Sequence, residues 1–311
     1  MVLAHDTFRR RASKDMKRNW PLYLMVLPVV IFYILFCYKP MVGIIIAFKD
    51  YKPNLGIWGS PWTSQYGLYH FISFFDSIFF ARVCINTIMI SLYSLVFGFP
   101  APIILALLMN ELRSQKFKRV VQTITYFPHF VSTVVICGMV RQFCLSDGLF
   151  NEIGSWFGAQ PQSLLQVPEY FRAIYTATGV WQGVGWSSII YLAAIAGVDS
   201  GLHEAAALDG AGRFRRIWHI TLPGIKPTIV ILLIMQIGGM MSVGYEKIIL
   251  LYNESIYETA DVISTFVYRR GLLEFNWSFS TAVNLFNSVL NFILVFTANA
   301  ISRKVTETSL F

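Results

Sequence analysis

Six apolar runs, each long enough to cross a lipid bilayer, decide what this chain of 311 residues folds into. About twenty consecutive apolar residues span the hydrocarbon core as a helix. Runs of that kind lie at roughly 22–48, 83–109, 120–143, 172–197, 227–245 and 279–301. The expected fold class is all-α, a polytopic membrane protein with six transmembrane helices. A soluble domain is excluded because charged residues make up only 14% of the chain and hydrophobic ones 55%, too little charge to cover a soluble surface of this size. The net charge of +8 would suit nucleic acid, but its placement assigns it to the membrane instead.

Most of the 25 Lys and Arg residues collect on one side of the membrane. They form four groups: Arg9, Arg10, Arg11, Lys14, Lys17 and Arg18; Arg113, Lys116, Lys118 and Arg119; Arg213, Arg215, Arg216 and Lys226; Arg303 and Lys304. By the positive-inside rule that side is cytoplasmic. Both termini and the loop at about 200–226 then face the cytoplasm. The expected organisation is a basic cytoplasmic segment over 1–21, one transmembrane domain over 22–301 and a cytoplasmic tail over 302–311. The first run continues past Lys39 and Pro40 to Phe48, too long for a secretory signal, so it reads as a retained helix kinked near Pro40. Cys37, Cys84, Cys137 and Cys144 form no C-x-x-C pair and read as buried apolar thiols, with no metal site.

The cytoplasmic loop carries the densest pattern. Ala205, Ala206 and Ala207 favour helix and leave no bulk to block a close partner. Gly210 ends that helix, because glycine reaches the left-handed conformation a sharp stop needs. Arg213 to Trp218 restart a basic, aromatic helix, and Pro223 and Pro227 punctuate the approach to the next span.

The pattern Glu204-Ala205-Ala206, Asp209-Gly210-Ala211, then Ile220, Leu222-Pro223 and Pro227 resembles the EAA loop of ABC importer permeases. The resemblance implies a type I ABC importer permease fold, in the cytoplasmic membrane of a prokaryote. It implies that Glu204, Ala205, Ala206, Asp209, Gly210, Ala211, Leu222 and Pro223 form a coupling helix seated in a cytoplasmic ATPase, with Glu204 paired to a basic ATPase residue. The implied partners are a second homologous permease subunit in a heterodimer, two ATP-binding subunits, an extracytoplasmic solute-binding protein and membrane lipid, with no nucleic acid. No cofactor is expected in this chain; ATP and Mg belong to the partner ATPase subunits.

Further segments are similar to the sugar-uptake permeases of the maltose type: Gly67-Leu68, Phe71, Phe79-Phe80 and Asn86-Thr87. Ser242 to Lys247, Leu250 to Asn253, Ile263 to Arg269 and, in the first span, Tyr38, Pro40-Met41, Gly43, Ala47-Phe48 and Asp50-Tyr51 are similar to its branch for polysaccharide fragments and complex oligosaccharides. Thr63 to Tyr66 depart from the pattern and look inserted.

The chain lacks the G-x-x-x-x-G-K-[ST] loop that cradles phosphates, so it is read as no enzyme. Sugars offer ring faces to aromatic side chains and hydroxyls to amides and carboxylates. On that basis the expected substrate path takes Trp181, Gln182 and Trp186 from the fourth span and Gln236, Tyr245 and Glu246 from the fifth. Asn284, Asn287 and Asn291 share one face of the sixth span, and Asn86, Tyr126 and His129 come from the second and third. The opposing reading is that such amides tie helices together and such tryptophans mark the interface.

Other segments carry plainer expectations. Phe71 to Val83 reads as lying along the outer interface, and Asp147 to Gln162 as a short interfacial helix. Gly179 and Gly183 read as a close helix approach. Pro100 and Pro102 read as a kink in the second helix and Pro128 in the third, with Arg269 and Arg270 on a solvated outer face. Rival functions are an ion-coupled secondary transporter or channel, an ABC permease for a non-sugar solute, and a membrane enzyme.

Overall fold

The computed structural model describes residues 8–306, with side chains from residue 14 to residue 304. The outer parts of the expected segments 1–21 and 302–311, and the side chains of Arg9, Arg10 and Arg11, lie outside the described residues. The chain divides into two compact units at Tyr69 and His70. Among the described residues it is helical throughout, with a single isolated bridge between Lys49 and Trp62.

The first unit holds α1 (Lys14–Phe48). Its apolar side chains from Leu22 to Leu35 are exposed, a surface suited to lipid. Past α1 the Lys49 ammonium donates to the carbonyls of Ile57, Trp58 and Ser60 at 2.9, 3.2 and 3.0 Å, which closes residues 49–60 into a compact loop. Gln65 and Tyr66 take positive φ, so the stretch that looks inserted in sequence is also where the backbone leaves ordinary conformations.

The second unit contains α2 (Phe80–Asn110), α3 (Gln115–Phe130), α4 (Thr133–Phe143), α5 (Pro168–Ala196), α6 (Ser200–Leu208), α7 (Arg213–Gly238), α8 (Tyr245–Leu251), α9 (Ile263–Tyr268) and α10 (Trp277–Lys304). Helix α5 is central, with Tyr191 and Ile195 packed on Ala106 of α2 and Ile225 of α7. Nearer the start of α5, Phe171 joins Ile90, Cys137, Val140, Ile248 and Leu251 in a second cluster. A third is built on Phe74, Val83, Phe266, Phe279 and Val283.

Three prolines in the long helices are accommodated in the same way. A helical proline cannot donate to the carbonyl four residues back, and its ring collides with it. Ahead of Pro40, Pro100 and Pro223 the chain inserts a π-turn: Lys39 N–H donates to Ile34 O, Phe99 to Ser94 O and Leu222 to Ile217 O. The wider turn absorbs the clash without ending the helix. Near Pro40, where a kink is expected, the helix continues through this π-turn. Tyr38, Lys39 and Val42 stay helical, and the non-helical residue inside the helix is Asn19 (φ −112°, ψ 21°), ahead of Pro21.

Three expectations need correction, and a fourth holds. The third span is no single rod: α3 and α4 meet at 100° across Val131 and Ser132. Pro128 precedes the bend, and the Ser132 hydroxyl accepts from Val135 N–H to start the new helix. The fifth span runs from Arg213 to Gly238 rather than 227 to 245, and Tyr245 and Glu246 sit on the separate α8. Phe71 to Val83 does not simply lie at the interface, because Phe74 is 1% exposed and makes edge contacts with the rings of Phe80, Phe279 and Phe286. Burial of Phe74 wins over interfacial placement because aromatic partners from α2, α9 and α10 converge there. The expected short helix after Asp147 is present as Leu149–Ser155, with Trp156 and Phe157 exposed beyond it.

Candidate functional site

Three features concentrate polar chemistry: the loop between α5 and α7, a cavity between α2, α5, α7 and α8, and an ion cluster at the start of α2 and α5.

The loop is a stiff helix, turn and helix. Asp199 caps α6, its carboxylate accepting from Gly201 N–H at 2.8 Å. At the other end Ala211 N–H donates to Ala206 O at 2.8 Å and Gly210 N–H to Ala207 O at 3.1 Å. That is the Schellman arrangement, and Gly210 supplies its left-handed residue with φ +77°. A Cβ on Gly210 would meet nothing within 4 Å, so the glycine is needed for its backbone conformation, not for space. Where the two arms of the loop rejoin, a Cβ on Gly224 would stand 2.8 Å from Val198 Cγ2; the absent side chain lets α7 close onto the end of α5. Arg213 reaches Glu111 at the end of α2, 3.8 Å away.

What the loop presents is unpartnered. Leu208 is 90% and Phe214 89% exposed, and Glu204 is exposed with no hydrogen bond or ion pair among the described residues. Between the arms, Ala206, Asp209, Ala211, Arg215, Arg216 and His219 line a groove of about 460 Å³. Ala205, Leu222 and Pro223 flank these features. The turn thus carries exposed apolar side chains beside the exposed Glu204 carboxylate.

The cavity holds about 570 Å³. Ser94, Gly98 and Pro102 line it from α2, Tyr175, Gly179, Gly183 and Tyr191 from α5, Gln236 from α7 and Lys247 from α8. The helix approach expected of Gly179 and Gly183 is not what they do. Gly183 has nothing within 4 Å of a would-be Cβ and Gly179 has only Lys247 Nζ, 3.0 Å away, so the pair opens the cavity. The close approach belongs to Gly185, whose Cβ would fall on the Thr125 carbonyl of α3.

The expected path residues separate into groups. Gln236 faces this cavity, while Trp181 lines a second, apolar one of about 470 Å³ with Val140, Phe143 and Phe150. Trp186 stacks on His129, centroids 4.7 Å apart and planes 2° apart, and Gln182 reaches Val131 O at 3.5 Å, so both brace the bend between α3 and α4. Tyr126 packs beside Gly185. Tyr245 stacks on Tyr268 at 5.6 Å, and Glu246 is exposed. Asn291 accepts from Met241 N–H at 3.0 Å and donates to Ser242 Oγ at 2.7 Å, satisfying the broken end of α7. Asn284 is exposed, and Asn287 is buried with its Oδ1 unpartnered among the described residues.

Asn86 belongs to the ion cluster. Its amide donates to the carbonyls of Glu258 and Asp261 at 2.8 and 3.0 Å and its oxygen accepts from Arg172 at 2.8 Å. The Asp261 carboxylate, wholly buried, takes Arg269 at 2.7 Å and Arg82 at 3.3 Å. Burial alone would lower the Arg269 pKa, but the paired carboxylate holds it above its ordinary value. Burial and the Tyr252 hydroxyl push the neighbouring Tyr257 up to about 12, against the pull of the Arg269 charge. The solvated face expected for Arg269 is thus overturned, since Arg269 is in this pair; Arg270 keeps a partly exposed side chain that bonds Glu274 at 2.5 Å and lies over the rings of Phe79 and Phe266.

Sequence reasoning missed Asp261, Arg82 and Arg172 as site residues, and left Lys247 between the pore and a loop contact. The available signal was that ionisable groups at or inside span ends are costly and so seldom idle.

Comparison with known proteins adds the following. Residues 98–307 match the family described as binding-protein-dependent transport system inner membrane component. Protein LplB of Bacillus subtilis (strain 168) is 43% identical over 297 residues, covering 95% of this chain and 92% of that protein. The polygalacturonan/rhamnogalacturonan transport system permease protein YteP of the same bacterium is 46% identical over 304 residues, covering 97% and 94%. Among solved structures, a chain of a bacterial ABC transporter involved in the import of the acidic polysaccharide alginate superposes with a TM-score of 0.87 at 45% identity, covering 95% of this chain and 99% of that one. The bacterial alginate ABC transporter in complex with its alginate pentasaccharide-bound periplasmic protein gives a TM-score of 0.87 at 44% identity, covering 96% and 99%.

Proposed function

The chain belongs to the family of binding-protein-dependent transport system inner membrane components, and on that premise we propose that it is the permease subunit of an ATP-driven importer for oligosaccharide or polysaccharide fragments. An extracytoplasmic binding protein delivers the cargo, and a second permease completes the pathway. The relatives that carry polygalacturonan, rhamnogalacturonan and alginate in their descriptions support that cargo class.

The observation that carries the coupling role is the loop around Gly210. It is stiff, capped at both ends, and displays Leu208, Phe214 and an unpaired Glu204. A motor subunit docked there moves α5 and α7 together, because Gly224 packs on Val198 and ties the two arms into one lever. Closure of the ATPase pair around ATP and Mg draws the two permeases' loops together and turns the cavity outward; hydrolysis resets it. Both ATP and Mg sit on the partner subunits. The charge distribution supports cytoplasmic placement of this loop and of both termini.

An ion-coupled secondary transporter is the weaker reading, since among the described residues no carboxylate lines the central cavity to carry a proton or cation. The deciding experiment places a photo-cross-linker at Leu208 in the intact complex. Capture of a nucleotide-hydrolysing subunit is expected. Labelling of position 208 only from outside the cell would overturn the proposal.

A further inference from the structure

Lys247 brings a lone formal charge to the central cavity. No Asp, Glu, Arg or His among the described residues shares that lining. Its ammonium donates to Tyr175 O at 3.0 Å and lies 4.5 Å from the centre of the Tyr175 ring. An ammonium has three N–H donors, so two remain for something else. No carboxylate pairs with it among the described residues. Glu246 is its neighbour in sequence, but adjacent residues on a helix do not face each other.

A cation kept largely out of water without a counter-ion is costly, and here the surroundings are arranged to hold it. The Tyr175 carbonyl and ring face fix the head, and Gly179 leaves the room it occupies, with a Cβ there standing 3.0 Å from Nζ. The rest of the lining suits a saccharide: Ser94, Ser187 and Gln236 offer polar groups for hydroxyls. Charge nearby has the same sign. Arg172 stands one turn before Tyr175 on α5 and donates to Asn86 Oδ1, while two further guanidiniums, Arg82 and Arg269, share the Asp261 carboxylate beside it. Arg82 and Arg172 each keep a buried Nε without a partner among the described residues.

We propose that Lys247 is a carboxylate-binding subsite of the transport cavity, and that the saccharide this permease carries is a uronate-containing, anionic one. The inference rests on the reading of the chain as a saccharide permease and narrows it. The carboxylate displaces no counter-ion. It accepts the two unused ammonium N–H groups while the sugar hydroxyls meet Ser94, Ser187 and Gln236.

The test uses the complete importer in cells that depend on it for uptake, with trigalacturonate and its fully methyl-esterified form as labelled probes. Esterification removes the charge and keeps the sugar skeleton. With Lys247→Met, the ratio of acid to ester uptake falls at least about tenfold, the loss expected for one charge-assisted hydrogen bond. Lys247→Arg restores part of the ratio. Gly179→Ala, which keeps the lysine and crowds it, lowers the ratio in the same direction and serves if the Met variant fails to assemble. Equal loss of acid and ester uptake in these variants overturns the proposal, as does a wild-type importer that carries neutral oligosaccharides but no uronate. Either result leaves the saccharide-permease reading standing. A wild-type complex that holds no ATPase subunit and carries no saccharide would instead remove that reading itself.

Discussion

Arg269 closes on Asp261 through two parallel hydrogen bonds, 2.9 Å from Nη1 to Oδ1 and 2.7 Å from Nη2 to Oδ2, and Asp261 is entirely buried. The same carboxylate reaches Arg82 at the start of α2, while its backbone carbonyl takes Asn86. One acid therefore joins α2 to the connection between α8 and α10, and through Asn86 to Arg172 on α5.

Removing that acid should cost far more than removing one of its bases. Asp261→Asn leaves guanidiniums clustered without an anion, and breaking a buried pair in this way costs about 3 to 5 kcal/mol. Arg82→Met removes the longer, more exposed contact and should cost about 1 kcal/mol or less. Thermal unfolding of the purified complex in detergent should show a large drop for the first variant and a small one for the second. Equal midpoints would mean the cluster does not hold the outer end together.

Gly185 and Gly183 sit half a turn apart on α5 and should respond in opposite ways to the same methyl group. At Gly185 a Cβ collides with the Thr125 carbonyl, a backbone atom that cannot swing aside; at Gly183 it enters open space. Gly185→Ala should separate α5 from α3 and reduce the amount of folded protein recovered from membranes, an overpacking cost of about 1 to 3 kcal/mol. Gly183→Ala should assemble normally. Recovery by fluorescence-detected size exclusion distinguishes them, and equal recovery would refute the assigned crossing point.

Gly210 is held at φ +77° with space around it, so the penalty for a substitution there depends on backbone preference alone. Asn visits the left-handed region readily and should retain most uptake. Val is β-branched and should abolish uptake while the protein still inserts, because the turn that sets the angle between α6 and α7 is lost. Uptake and membrane abundance measured together check this. Full transport by Gly210→Val would show that the turn geometry is dispensable.

How much of this was legible beforehand follows from which forces act locally. The apolar runs, the Gly210 stop and the all-helical class are decided by bilayer length and by single-residue conformational preference, and both are visible in sequence. The match over residues 98–307 and the alginate importer structures bear out the family resemblance drawn from Glu204 to Pro227. What sequence reading lacked was tertiary partnership. Gly179, Gly183 and Gly185 look alike on paper, and only the path of α3 tells which of them is a crossing. Asp261 and Arg269 are eight residues apart, yet their importance comes from Arg82 and Asn86, about 175 residues away. The bend of α3 into α4 was signalled by Pro128, but its 100° angle is set by packing on α5.

Asn287 and Asn291, four residues apart on α10, offer the sharpest contrast between an amide that is used and one that is not. Asn291 supplies the acceptor for Met241 N–H and the donor for Ser242 Oγ where α7 has ended and its backbone needs partners. Replacing it by Leu strands a backbone N–H away from water and should cost about 1 to 3 kcal/mol. Asn287 is buried with its Oδ1 unpaired among the described residues, so Leu of similar volume removes an unsatisfied acceptor and should leave stability unchanged or raised. Detergent melting curves of the isolated chain and of the assembled complex separate two cases. If Asn287→Leu is neutral in the isolated chain but lowers the midpoint of the complex, the amide is satisfied by another subunit, and this face of α10 lies against it. If Asn287→Leu is as harmful as Asn291→Leu in the isolated chain, the assignment of the two amides is wrong.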